Sequence, residues 1–61
     1  MNILKNIKEI ADHKGMTLAQ IERAVGLSHG VIRRWDKQSP SAENVYKVSR
    51  VLKCNIYRLL K

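Results

Sequence analysis

The stretch TLAQIERAVGLSHGVIRRWDK, residues 17–37, sets the tightest limit on what this 61-residue chain can fold into. Thr17 and Gln20 have the spacing of a capping box, in which the threonine side chain takes an early backbone N–H and the glutamine reaches back to the N-cap N–H. A short helix is therefore expected from about Leu18 to Val25. Gly26 follows where a chain leaving a helix needs a positive φ, and Ser28 can cap the next helix. That third helix is read over 28–37 as about three turns, with Ile32 and Trp35 on an inward stripe and His29, Arg33 and Lys37 recurring every fourth residue on the other side. Two helices this short, joined by a turn with Val25 and Leu27 around it, meet at a steep angle and cannot bury their own apolar faces. They need other helices as a platform.

The remainder of the chain provides one. Ile3, Ile7 and Ile10 oppose Lys5, Lys8, Glu9 and Asp12, the pattern of an amphipathic helix capped by Asn2 and ended at Gly15. Pro40 restricts the residue before it, Ser41 can cap a fourth helix with Glu43 at its positive end, and Val45, Val48, Val51 and Leu52 form its apolar face. Asn55 can cap a last turn or two, IYRLLK, whose Ile56 and Leu59 close the core. Nothing reads as a strand pair, a repeat or a linker. The expected architecture is all-α, a compact five-helix bundle in a single domain over 1–61 with its central helix pair at about 17–37. A chain this short is near the lower limit at which an apolar core holds without staples, and has no room for a catalytic domain plus a sensor.

Charge narrows the partner. Twelve Lys and Arg against five Asp and Glu leave a net charge of +7, an excess that points to a polyanion, nucleic acid before an anionic membrane. Cys54 is the one cysteine, and with His13 and His29 at scattered spacings it forms no zinc signature. No metal, cofactor or small-molecule ligand is expected, and the setting is read as reducing and cytoplasmic. Cys54 is expected as a buried thiol between the last two helices. His13 is read as a solvated residue near a helix C-terminus, and Lys47, Arg50 and Lys53 as a solvated face adding long-range attraction. No segment approaches the ~18–20 apolar residues of a membrane span. Glu9, Asp12 and Glu43 have no histidine or serine arrangement suited to acid–base or nucleophilic chemistry, so an enzyme is not expected.

With Ile32 and Trp35 turned inward, the free face of the third helix carries His29, Gly30, Arg33, Arg34 and Lys37. A helix fits the major groove of B-DNA, where arginine makes bidentate contacts to guanine, and a residue without a side chain lets the helix N-terminus approach closely. Residues 7–60 resemble the Cro/CI-type helix-turn-helix domain, also called the XRE or phage-repressor family. The matching elements are IKEIADHKGMT, TLAQIERAVGLS, IRRWDK, SPSAENVYKVSRVL and CNIYRLL, in that order and spacing. The resemblance implies a lambda-repressor-like five-helix fold that binds operator DNA, usually as a two-fold homodimer on a pseudo-palindrome. Carried over residue by residue, it implies base contacts at His29, Gly30 and Arg34, with Arg33 as a neighbour taking a base or a phosphate and Val31 touching a thymine methyl. It implies backbone contacts at Thr17, Lys37, Gln38 and Ser39, with the Leu18 N–H as a further one, and a dimer contact through the last helix and the loop before it, where Tyr57, Leu60 or both are left available to a second chain. Two positions depart from the family pattern: Leu18 stands where glutamine is frequent, and Glu22 where a small alanine is preferred. Glu22 is expected either as an exposed charge or as a partner of Arg23, Lys14 or Arg33.

The function expected is a sequence-specific double-stranded-DNA-binding transcriptional regulator of the Cro or repressor kind, occupying a promoter operator and controlled by its own concentration. The alternative is an interaction protein on the same fold, an antitoxin or repressor modulator, using Leu18 and the apolar C-terminus. In that case Arg33→Ala and Arg34→Ala spare function while Tyr57→Ala or Leu60→Ala abolishes it. A membrane-surface peptide is disfavoured because the helices are short, capped and interrupted by Gly15, Gly26 and Pro40.

Overall fold

Capping decides where the chain turns helical. In the computed structural model, which describes residues 2–61, the Asn2 side chain accepts the Lys5 N–H at 3.0 Å and opens α1 (Ile3–His13). The Thr17 hydroxyl accepts the Gln20 N–H at 3.1 Å while the Gln20 side-chain Oε1 accepts the Thr17 N–H at 2.8 Å, opening α2 (Leu18–Val25) with the reciprocal box expected of that spacing. Gly26 closes α2 at φ 86, in the left-handed region. Ser41 caps α3 (Ala42–Val51) by accepting the Asn44 N–H at 3.1 Å. Asn55 accepts the Tyr57 N–H at 3.0 Å at the start of α4 (Tyr57–Leu60).

Four α-helices, not five, are found among the described residues. The third expected helix is a 3₁₀ segment, Ile32–Asp36, preceded by a turn. Two causes are visible. Gly30 sits at φ +91, which no right-handed helix accepts, so nothing before Val31 can join. From Val31 onward the backbone is held by i→i+3 bonds: the Arg34 N–H donates to the Val31 carbonyl and the Lys37 N–H to the Arg34 carbonyl, both at 3.1 Å. The expected cap also differs, since the Ser28 side chain makes no capping bond and only its backbone carbonyl accepts, from the Val31 N–H at 3.2 Å.

One core unites the pieces. Ile3, Ile7, Ile10 and Ala11 of α1, Ile21 of α2, Ile32 and Trp35 of the 3₁₀ segment, Val45 and Val48 of α3, then Leu52 and Leu59 are all buried in it. Val51, Ile56 and Cys54 pack against its edge, so Cys54 is a half-buried thiol rather than the buried one expected. α1 packs against both the 3₁₀ segment and α4, and α2 packs against α3. The Asn6 side-chain amide donates to the carbonyls of Leu59 and Lys61, each at 2.9 Å, and ties the last residues to α1.

Because the 17–20 box satisfies two N–H groups, Thr17→Ala should lower stability by about 0.5–2 kcal/mol. In a domain of this size that moves the thermal midpoint by about 4–8 °C per kcal/mol, read by circular dichroism.

Candidate nucleic-acid interface

The 3₁₀ geometry rearranges the side chains that the α-helical reading had placed together. At three residues per turn, residues three apart lie over one another and adjacent ones diverge by about 120°. Ile32 and Trp35 still share the inward face, so the segment is anchored as expected. Outside, Arg34 aligns with Lys37, whereas Arg33 turns away from both. The ladder His29, Arg33, Lys37 expected from four-residue spacing is therefore broken.

Arg33 lines a depression of about 270 Å³ together with Lys8, Ala11, Asp12, Met16, Thr17 and Leu18. This brings Arg33 to the start of α2, beside two of the expected backbone-contact residues. Leu18 is half-buried, its side chain packed against the core. His29 lines a different depression, about 210 Å³, with Ala19, Glu22, Arg23 and Leu27, and its side chain is 87% exposed. Gly30 and Val31 are half-buried and Val31 packs against the core, which leaves it less free to touch a base than expected. Arg34, Lys37, Gln38 and Ser39 are exposed. Ser39 also lines an apolar groove with Ile3, Pro40, Ala42, Val45, Ile56 and Leu60. Tyr57 and Leu60 are exposed at the end of the chain, and so is Tyr46 of α3, which sequence reading did not single out.

Glu22 overturns its expectation. It is 3% exposed, and its carboxylate accepts the Gly30 N–H at 3.1 Å through Oε1 and the Ile32 N–H at 2.9 Å through Oε2. It pairs with none of Arg23, Lys14 or Arg33; the nearest cationic candidate is the His29 Nδ1, 3.8 Å from Oε1. Buried carboxylates are tolerated where N–H donors replace lost water, and two backbone donors at the head of the 3₁₀ segment do so here. A signal for this was present. Leu18, Ile21, Glu22 and Val25 follow the i, i+3, i+4, i+7 rhythm of an inward stripe, so the acid occupies an apolar position ahead of a glycine turn.

The surface charge is largely uncompensated. Among the described residues one Lys or Arg lies within salt-bridge distance of a carboxylate, Lys47 with Glu43 at 3.5 Å on exposed α3. Arg33 and Arg34 on the 3₁₀ segment and Lys37 at its C-terminal end carry exposed positive charge, of the kind that can meet phosphates and guanine edges. No group of three or more His, Cys, Asp or Glu among the described residues could hold a metal ion, and no helix among them is long and apolar enough to cross a membrane.

A helix-turn-helix family model matches residues 7–59. No curated protein and no solved structure matches the chain.

Proposed function

From the premise that this chain belongs to the XRE/Cro-CI-type helix-turn-helix family, a family of DNA-binding transcription regulators, we propose that it is a sequence-specific repressor-like protein acting on a pseudo-palindromic operator. The observation that carries the reading is the 3₁₀ segment itself. Ile32 and Trp35 lock it to the core while Arg34 and Lys37 align outward from it, and Arg33 reaches the start of α2. Such a surface presents one cation to the bases and another to the backbone. Arg34, with His29 and Gly30, reads bases; Arg33 joins Thr17, the Leu18 N–H, Lys37 and Gln38 on the phosphates. The protein acts by occupancy rather than catalysis.

Two copies docked through their C-terminal ends would place the reading segments about one DNA turn, ~34 Å, apart. Tyr57 is 71% exposed and Leu60 38%, the latter at the lip of the apolar groove. The double variant Tyr57→Ala, Leu60→Ala should lose about 10²-fold in affinity for a duplex with two half-sites, by loss of effective concentration, and keep its affinity for a single half-site. Titration of both duplexes by fluorescence anisotropy checks this.

The function is tested by selection from random-sequence duplexes at about 0.15 M salt, where exposed charges are screened beyond roughly 8 Å. The reading requires enrichment of a pseudo-palindrome with half-sites about one helical turn apart. Failure to enrich anything would leave the cationic face as non-specific attraction. The exposed Tyr57 and Leu60 would then favour the protein-partner reading.

A further inference from the structure

We propose that Glu22 is the positioning residue that sets sequence preference, holding the turn before the 3₁₀ segment in the one shape that aims Arg34 at a base; the proposal rests on the DNA-binding reading above. Glu22 acts on both sides of that turn. Its backbone carbonyl accepts the Gly26 N–H at 2.9 Å and the Leu27 N–H at 2.8 Å, which fixes how the chain leaves α2. Its carboxylate accepts the Gly30 and Ile32 N–H groups, which fixes how the chain enters the 3₁₀ segment. The exposed residues between and just after these four bonds are Ser28, His29, Arg33 and Arg34.

Besides the Val31 N–H bond to the Ser28 carbonyl at 3.2 Å, the hydrogen bonds that tie the Gly30 end of this turn are those of the carboxylate. Gly30 has open space where a Cβ would stand, with nothing within 4 Å, so packing does not choose its backbone angles. Glycine adopts many φ values at similar energy. No side chain caps the segment from its own N-terminus. A carboxylate has two acceptor oxygens and no donor hydrogen, so one side chain serves both the Gly30 and the Ile32 N–H. A bidentate contact to a base tolerates little displacement, so loosening this turn removes specificity before it removes affinity. Phosphate attraction depends on charge and distance and survives the same loosening.

Glu22→Gln is the direct test, because one carbonyl oxygen can serve only one of the two donors and the amide group presents its own hydrogens to the other. Wild type and variant are compared on the wild-type selected duplex and on a scrambled duplex, across a salt series. The variant should lose about tenfold or more of its preference for the selected duplex while its scrambled-duplex affinity and salt slope stay unchanged. A merely stabilising role would lower the melting temperature and leave the preference of the folded fraction intact, and that result overturns the proposal. Should the variant fail to fold, amide exchange in the wild type decides: Gly30 and Ile32 must be protected, and exchange at the rate of a free amide overturns the proposal. A wild type with no preference among duplexes defeats the DNA reading and the proposal together. Preference retained by folded Glu22→Gln defeats the proposal alone.

Discussion

Arg33→Ala and Arg34→Ala should both weaken DNA binding, and in different ways, with the double variant losing about 10²-fold or more on the selected duplex. On the proposed docking Arg34 reads a base, so its loss should cost about 1–3 kcal/mol and relax one base position in each half-site. Arg33 sits with Thr17, Leu18 and Lys8 at the start of α2. Its loss should weaken binding to every duplex alike and reduce the slope of log K against log salt by about 0.9 per phosphate contact removed. Anisotropy titrations on selected and scrambled duplexes at several salt concentrations separate the two. Equal effects of the two substitutions on specificity would contradict this division of roles.

Ile21→Ala should come close to unfolding the protein. Ile21 is fully buried, at 0% exposure, in the core shared by α1, α2, α3 and the 3₁₀ segment. Truncating a buried isoleucine costs about 2–5 kcal/mol through lost burial and the cavity left behind. A domain of this length has a total stability of only roughly 3–9 kcal/mol. Urea unfolding followed by circular dichroism should show the midpoint falling to a small fraction of the wild-type value. Tyr46→Ala, on the exposed side of α3, should move it by no more than about 0.5 kcal/mol equivalent. A mild loss for Ile21→Ala would show that the helices pack more loosely than the burial implies.

The parts of the fold set by local rules were readable in the residues. The 17–20 capping box and Gly26 bracketed α2, and the spacings of Ile3, Ile7 and Ile10 and of Val45 and Val48 oriented α1 and α3. The third helix was misread because Ile32 and Trp35 are three apart, a spacing that suits an inward stripe in either an α- or a 3₁₀-helix. The positive φ of Gly30 sets where the segment begins and the i→i+3 bonds from Val31 onward make it 3₁₀, and spacing encodes neither. Glu22 was misplaced for a related reason. Its role depends on two N–H groups eight and ten residues further along, and these come within reach only once the chain has turned back on α2. At the site, the charged residues could be named from type and position, but the place of Arg33 beside Thr17 and Leu18 depends on how the elements pack, which spacing does not encode. Ser39 was grouped with the phosphate contacts by the family resemblance, and it lines the groove that Leu60 also lines.

If the turn and 3₁₀ segment form the DNA-reading surface, the amide chemical-shift map of the protein titrated with its selected duplex shows it most directly. Large shifts should fall on His29 to Arg34, on Thr17 and Leu18, and on Lys37 and Gln38, with Arg33 and Arg34 giving intermolecular contacts to phosphate and base respectively. Large shifts centred instead on Tyr46, Lys47 and Arg50 of α3, with the 3₁₀ segment unmoved, would contradict that assignment.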